Sequence, residues 1–185
     1  MLQVTIPSAQ RTVFGKGSMR RLRMNGATPG VLYSGGKEPL PLQFEATELF
    51  KKLLFIHGRN AVITLEIEGD SKGTRQVLVQ EIQKDPVSDL VLHVDFLEID
   101  IDKALDFVVP VEFIGVARGV DMGGELQVFK TSVHLRGCPL DIPDIIEADI
   151  TALDRGEAGL TLGDLSLPDK VTMLDDAKMT CVQVQ

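Results

Sequence analysis

Residues 90–99 read Leu90-Val91-Leu92-His93-Val94-Asp95-Phe96-Leu97-Glu98-Ile99. A β-strand sends successive side chains to opposite faces, so His93 and Asp95 share one face while Leu92, Val94 and Phe96 share the other. Such a strand fills a barrel or sheet core on one side and shows an imidazole beside a carboxylate on its outside. The same period-2 alternation runs through Ala61 to Glu68 and Gln76 to Gln83, around Gly69-Asp70-Ser71-Lys72-Gly73, which predicts a hairpin with residues 69–73 as its loop. Further upstream, Val31-Leu32-Tyr33 predicts a strand that Ser34-Gly35-Gly36 turns toward a second at Leu40 to Phe44. Leu2 to Ile6 alternates as a short first strand, and Pro7 is expected to limit it.

Two helices are expected among these strands. Ser18 is a plausible N-cap for Met19 to Met24, and Asn25-Gly26 a plausible stop. A helix that short has few apolar anchors and needs tertiary contacts or a ligand to persist. Ala46 to Phe55 carries Leu49, Phe50, Leu53 and Leu54 at helical spacing, without a capping-box acid at its start.

A boundary is expected near Asp100 to Asp106, dividing the 185 residues into domains at 1–100 and 101–185. Beyond it, Val108 to Phe113, Leu126 to Phe129, Ser132 to Leu135, Ile145 to Ile150 and Met179 to Val184 predict strands separated by Pro and Gly. Gly156 to Leu165 is expected to hold a short turn or helix. The fold class is therefore mostly β with a few short helices, an α+β chain of two domains.

The net charge of −8 argues against a nucleic-acid partner until its distribution is considered. Residues 1–37 contain Arg11, Lys16, Arg20, Arg21, Arg23 and Lys37 and not one Asp or Glu. Residues 1–100 balance 12 basic against 12 acidic side chains, so the whole net charge lies in the second half, with 7 basic and 15 acidic. An acid-free basic segment has the charge density for phosphate contact, and Gly15 and Gly17 allow a backbone to approach a phosphate closely. The acidic second domain is expected to face away from RNA or to meet a protein.

Several function classes drop out. Gly15-Lys16-Gly17 lacks the Gly-x4-Gly-Lys-Ser/Thr spacing of a nucleotide loop. The first twenty residues hold Arg11, Lys16 and Arg20 without a long apolar core, so no secretory signal is read, and no apolar run approaches a membrane span. Cys138 and Cys181 are expected as free thiols in a reducing, cytoplasmic setting. With eight Phe, one Tyr and no Trp, stacking on bases falls to Tyr33, a Phe or the planes of arginines. His93 and Asp95 with His134 present the residue types of a two-histidine, one-carboxylate iron centre, which keeps a non-haem oxygenase as the alternative; a protein-binding β module is another. His57, beside Gly58 and Arg59, is read as a polar loop residue. No catalytic residue, metal, cofactor or small-molecule substrate is otherwise expected.

Taken in order, Gly15-Lys16-Gly17, Arg20-Arg21-Leu22-Arg23, Pro29-Gly30-Val31-Leu32-Tyr33, Gln83-Lys84-Asp85-Pro86 and His93-Val94-Asp95-Phe96 resemble the 5S rRNA-binding ribosomal proteins of the bacterial large subunit. The second half, through Val109-Pro110-Val111 and Gly119-Val120 followed by Gly123-Gly124 and Leu126, resembles the β-rich extension of the long form, also called general stress protein CTC. The resemblance implies an N-terminal β-barrel that grips a helix and internal loop of 5S rRNA, with a β domain behind it and neighbouring ribosomal proteins as further partners. It implies RNA contacts at Arg11, Arg23, Tyr33, His93 and Asp95, joined by Lys16, Arg20, Arg21 and Gln83.

Overall fold

The computed structural model describes residues 1–36, 38–56, 59–70, 73–156 and 158–185. Lys37, the expected loop residue His57, Ser71 and Lys72 of the expected hairpin loop, and Glu157 lie outside the described residues. The chain folds into two compact units. One spans Leu2–His57 and Ala61–Ile101; the other spans Asp102–Gln185 with Met1 and Gly58–Asn60.

The first unit is a closed six-stranded barrel. Its strands are β1 (Leu2–Gln10), β2 (Ala27–Tyr33), β3 (Leu40–Glu45), β4 (Ala61–Glu68), β5 (Thr74–Lys84) and β6 (Val91–Glu98), with helices α1 (Lys16–Met24) and α2 (Ala46–Ile56). Around the barrel the order is β1-β3-β2-β6-β5-β4, with β1 parallel to β4 and β2 parallel to β6. Closure leaves no free edge strand. The inward row of each strand meets at the centre, where Ile6, Leu32, Leu42, Ile63, Leu65, Val77, Val94 and Phe96 are buried, and Leu49, Leu53 and Ile56 of α2 join the same core. The helical spacing of Leu49 and Leu53 therefore serves the barrel.

Gly30 of the Pro29-Gly30 motif faces this core. A Cβ there would lie 2.7 Å from both Phe44 Cε2 and the Val94 carbonyl oxygen. Its absence lets the Phe44 ring pack at 5.3 Å from that of Phe96, tilted by 49°, a favourable aromatic geometry. The motif's glycine is thus a packing residue.

Two expectations are corrected. β1 does not end at Pro7 but continues to Gln10. Pro7 points outward and pairs in register with Glu66 of β4, while β3 joins β1 only at Ala9 and Gln10. The missing N–H thus falls where no β3 ladder needs it. Helix α1 begins at Lys16 rather than after Ser18: Gly15, with φ 94°, occupies the cap position, and no side chain caps the helix. Only glycine enters that backbone region without strain, which moves the helix start upstream of the serine.

The second unit is also β-rich. A four-stranded sheet in the order β10-β7-β9-β12 and a three-stranded sheet in the order β11-β13-β8 are built from β7 (Leu105–Ile114), β8 (Leu126–Val128), β9 (Ser132–Gly137), β10 (Ile146–Asp149), β11 (Leu160–Thr161), β12 (Thr172–Met173) and β13 (Thr180–Val184). Phe107, Val109, Val111, Val133, Leu135, Val182 and Val184 are buried in it. The short helix α3 (Arg118–Asp121) and strands β11 and β12 go beyond the expected elements, while one 3-10 turn at Leu162–Asp164 stands in the segment expected to hold a turn or helix. A Cβ on Gly119 or Gly124 would come within 2.8 Å of Val184 Cγ1, so this glycine motif too makes room for a neighbour. Arg136 donates to both carboxylate oxygens of its register partner Asp106, at 2.5 and 2.7 Å. Both cysteines are free, and burial pushes the Cys181 thiol pKa up. Among the described residues no helix is long and apolar enough to cross a membrane.

Candidate nucleic-acid interface

The basic helix is built to show its charge. Lys16, Gly17, Arg20, Arg21, Arg23 and Met24 are exposed, while Ser18, Met19 and Leu22 turn toward the barrel. Lys16, Arg20 and Arg23 recur at i, i+4 and i+7 and form one cationic stripe; Arg21 points about 100° away from Arg20. Arg21 and Arg23 stand in the last turn, where cations complement the helix dipole, and no acid occupies the first turn. At the far end the Asn25 N–H donates to the carbonyls of Arg21 and Leu22, and Gly26, at φ 80°, carries the chain away into β2.

One bond fixes this helix against the barrel. Arg23 Nε donates to the carbonyl oxygen of Leu92 at 3.1 Å. Arg23 is exposed, so the guanidinium that tethers the helix has further N–H groups to offer a ligand.

Leu92 belongs to the strand that carries the polar pair. On the outer face of β2-β6-β5, register places Val31 of β2 beside Asp95, Gln83 of β5 beside His93, and Glu81 beside Asp95. Tyr33, one same-face step along β2 from Val31, lies diagonal to Asp95 and is 40% exposed. Tyr33, His93, Asp95 and Gln83 thus share one outer strip of the barrel. A register shift in β5 between Val79 and Glu81 lies next to the strip, as bulges near functional surfaces often do.

His93 Nδ1 approaches Asp95 Oδ1 at 2.9 Å. The same oxygen is buried and receives no well-directed hydrogen bond. The contact is thus close but poorly directed and covers Oδ1; both side chains are only part-exposed, His93 at 26% and Asp95 at 18%, so a donor brought by a ligand can meet Asp95 only at its other oxygen. An RNA 2′-hydroxyl or exocyclic amine is such a donor. Gln83 Nε2 donates to Glu81 Oε1 at 3.2 Å, so Gln83 offers its carbonyl more readily than its amide.

Arg11 is held differently from the helix arginines. Its Nη1 donates to the Val13 carbonyl at 3.1 Å and lies 2.9 Å from Met19 Sδ, and its guanidinium stands 5.4 Å from the Phe14 ring centroid. Burial lowers its pKa, and Nε is buried without a partner. Arg11 thus organises the loop into α1. Met19, which interrupts the basic run in sequence, is one of its contacts.

Lys84-Asp85-Pro86 builds a turn. Asp85 Oδ1 accepts from the N–H groups of Ser88 at 2.9 Å and Val87 at 3.0 Å, which lowers the Asp85 pKa. This closes the β5–β6 connection and sets the register that brings Gln83 opposite His93. Sequence reading missed three members of the site: the Leu92 carbonyl, Glu81 beside Asp95, and Phe14 under Arg11. The exposed Phe14 in a chain so poor in aromatics was the one available hint.

His134 belongs to the second unit. Its N–H donates to Asp175 Oδ2 at 2.8 Å and its Nδ1 lies 3.1 Å from the same oxygen, while Lys130 Nζ lies 3.1 Å from Oδ1. The carboxylate partner of His134 is therefore Asp175 rather than Asp95. Among the described residues no three His, Cys, Asp or Glu side chains are grouped as for a metal ion.

A model of the Ribosomal L25p family matches residues 6–96, and one of the Ribosomal protein TL5, C-terminal domain, matches residues 104–185. The large ribosomal subunit protein bL25 of Desulfotalea psychrophila is 45% identical over 184 residues, covering 100% of this chain and 99% of that protein. The bL25 of Halothermothrix orenii is 40% identical over 172 residues, covering 91% and 77%. That of Geobacter metallireducens is 39% identical over 184 residues, covering 100% and 93%.

Proposed function

The chain belongs to the ribosomal L25p family, in the two-domain form with a TL5 C-terminal domain, and on that premise we propose that its barrel binds 5S rRNA. It is a structural, non-enzymatic protein of the large ribosomal subunit. The observation that carries the finer reading is the joining of a cationic helix to a polar barrel strip through Arg23 and Leu92. Lys16, Arg20, Arg21 and Arg23 supply salt-sensitive attraction to phosphates, with Arg11 shaping the loop they rise from. Tyr33, Gln83, His93 and Asp95 read the shape, riboses and exposed base edges of an irregular RNA helix. The division follows from reach: long flexible cations find phosphates, while short side chains on a rigid strip require a matching surface. The acidic second unit meets neighbouring ribosomal proteins, and the protein works in the cytoplasm.

Filter binding of the full chain to 5S rRNA and to a random-sequence duplex of similar length tests this. A clear preference for 5S rRNA at moderate salt is expected. Equal affinity for both would reduce the barrel to a general polyanion binder.

A further inference from the structure

Beside the tether lies a cavity of about 270 Å³ enclosed by the end of α1, the first turn of α2 and the start of β6. Its walls are mainly apolar, formed by Ala46, Phe50 and Leu92, with Leu90, 62% exposed, as an outer lip. Its one charged wall is Arg23, whose guanidinium is fixed in place by the bond from Nε to the Leu92 carbonyl.

We propose that this cavity receives one unstacked nucleobase of the bound RNA. The inference rests on the RNA-binding reading above and adds a subsite to it. A nucleobase is a flat ring with apolar faces and polar edges, which suits a cavity walled by Phe50, an alanine, a leucine and a planar guanidinium. The stripe of Lys16, Arg20 and Arg23 that leads to the cavity draws a polyanion and holds its phosphates near the mouth. Thr47, also on the wall, offers a hydroxyl to a base edge. Irregular RNA provides bases that lack Watson–Crick partners but remain loosely stacked, so drawing one into the cavity costs little unpairing. An apolar protein side chain would match the walls but would have no use for the cationic approach.

The test uses 5S rRNA carrying 2-aminopurine at one internal-loop or bulge position at a time. Adding the full chain is expected to raise fluorescence severalfold at one position. Ala46→Leu, which fills the cavity, is expected to abolish that rise and weaken binding about tenfold with an unchanged melting temperature. Leu90→Ser, which strips the lip at an exposed position, is expected to diminish the rise. Absence of any unstacked position, or unaltered binding by Ala46→Leu, overturns the inference. If Ala46→Leu binds RNA normally but enters large subunits poorly, the occupant is a protein side chain and the inference is likewise wrong. Loss of the parent chain's preference for 5S rRNA over duplex would overturn the binding reading itself, and the subsite with it.

Discussion

Arg23 of the basic helix and Leu92 of strand β6 are joined by a hydrogen bond of 3.1 Å between Nε and the main-chain carbonyl. They stand 69 residues apart in the chain. The bond sets where the cationic stripe lies relative to Tyr33, His93 and Asp95, so in the proposed RNA complex affinity and recognition share one anchor.

The tether separates two roles that a single arginine usually confounds. Arg23→Ala removes both the charge and the anchor, and is expected to weaken 5S rRNA binding while lowering the slope of log affinity against log salt by roughly one. Arg23→Lys keeps the charge but not the planar, fixed donor, and is expected to retain the slope while losing affinity. Titrations at several salt concentrations distinguish the two; an unchanged slope in Arg23→Ala would show that Arg23 touches no phosphate.

Asp95 turns one oxygen beneath His93 and keeps 18% of its side chain exposed, which leaves the other oxygen to meet a ligand. Asp95→Asn is expected to cost about 1.5–3 kcal/mol of 5S rRNA binding, the range for a hydrogen bond to a charged group, and to leave duplex affinity unchanged. Competition binding with both RNAs measures this, and an equal loss on both would remove Asp95 from recognition.

Gly30→Ala is expected to destabilise the barrel by about 1–3 kcal/mol, as overpacking does in a filled core. Phe44→Leu should relieve only part of this, because the backbone oxygen of Val94 also stands 2.7 Å from the new Cβ. Thermal unfolding of the single and double variants reads the difference, and full rescue would place the whole conflict on the Phe44 ring.

In the second unit, the N–H of His134, with Lys130 and the His134 ring, holds the Asp175 carboxyl at about 2, below its ordinary value. A carboxyl with a lowered folded-state pKa takes up its proton more readily when unfolded, so its stabilisation is complete above about pH 4 and fades as pH falls toward 2. Asp175→Asn is expected to flatten that part of the acid-unfolding curve of the second unit and to leave the barrel's curve unchanged. Far-UV and near-UV circular dichroism across pH 2–5 would reveal it.

Alternation alone made β4, β5 and β6 legible, because half-buried strands write their two faces directly into the sequence. The acid-free segment exposed the charge of α1 in the same direct way. What alternation does not encode is which strands meet. The parallel pairing of β2 with β6 joins residues about 64 positions apart, as at Gly30 and Val94, and it is this pairing that brings Tyr33 to Asp95. Gly30 and Gly119 were visible as glycines, but the neighbours they admit, Phe44 and Val184, are long-range facts. Strand β12 has two residues, too few to show any period. Pro7 misled because a proline's effect on a strand depends on whether a partner stands on its N–H side.

The central claim is that the α1 stripe and the outer strip of β2-β6-β5 together form the RNA-binding surface. Amide NMR spectra of the isotope-labelled full chain, recorded with and without 5S rRNA, test it most directly. The predicted result is perturbation concentrated at residues 16–24, Tyr33, Gln83 and residues 92–95, with the second unit little changed. Perturbation confined to the second unit, or absent from β6, would contradict it.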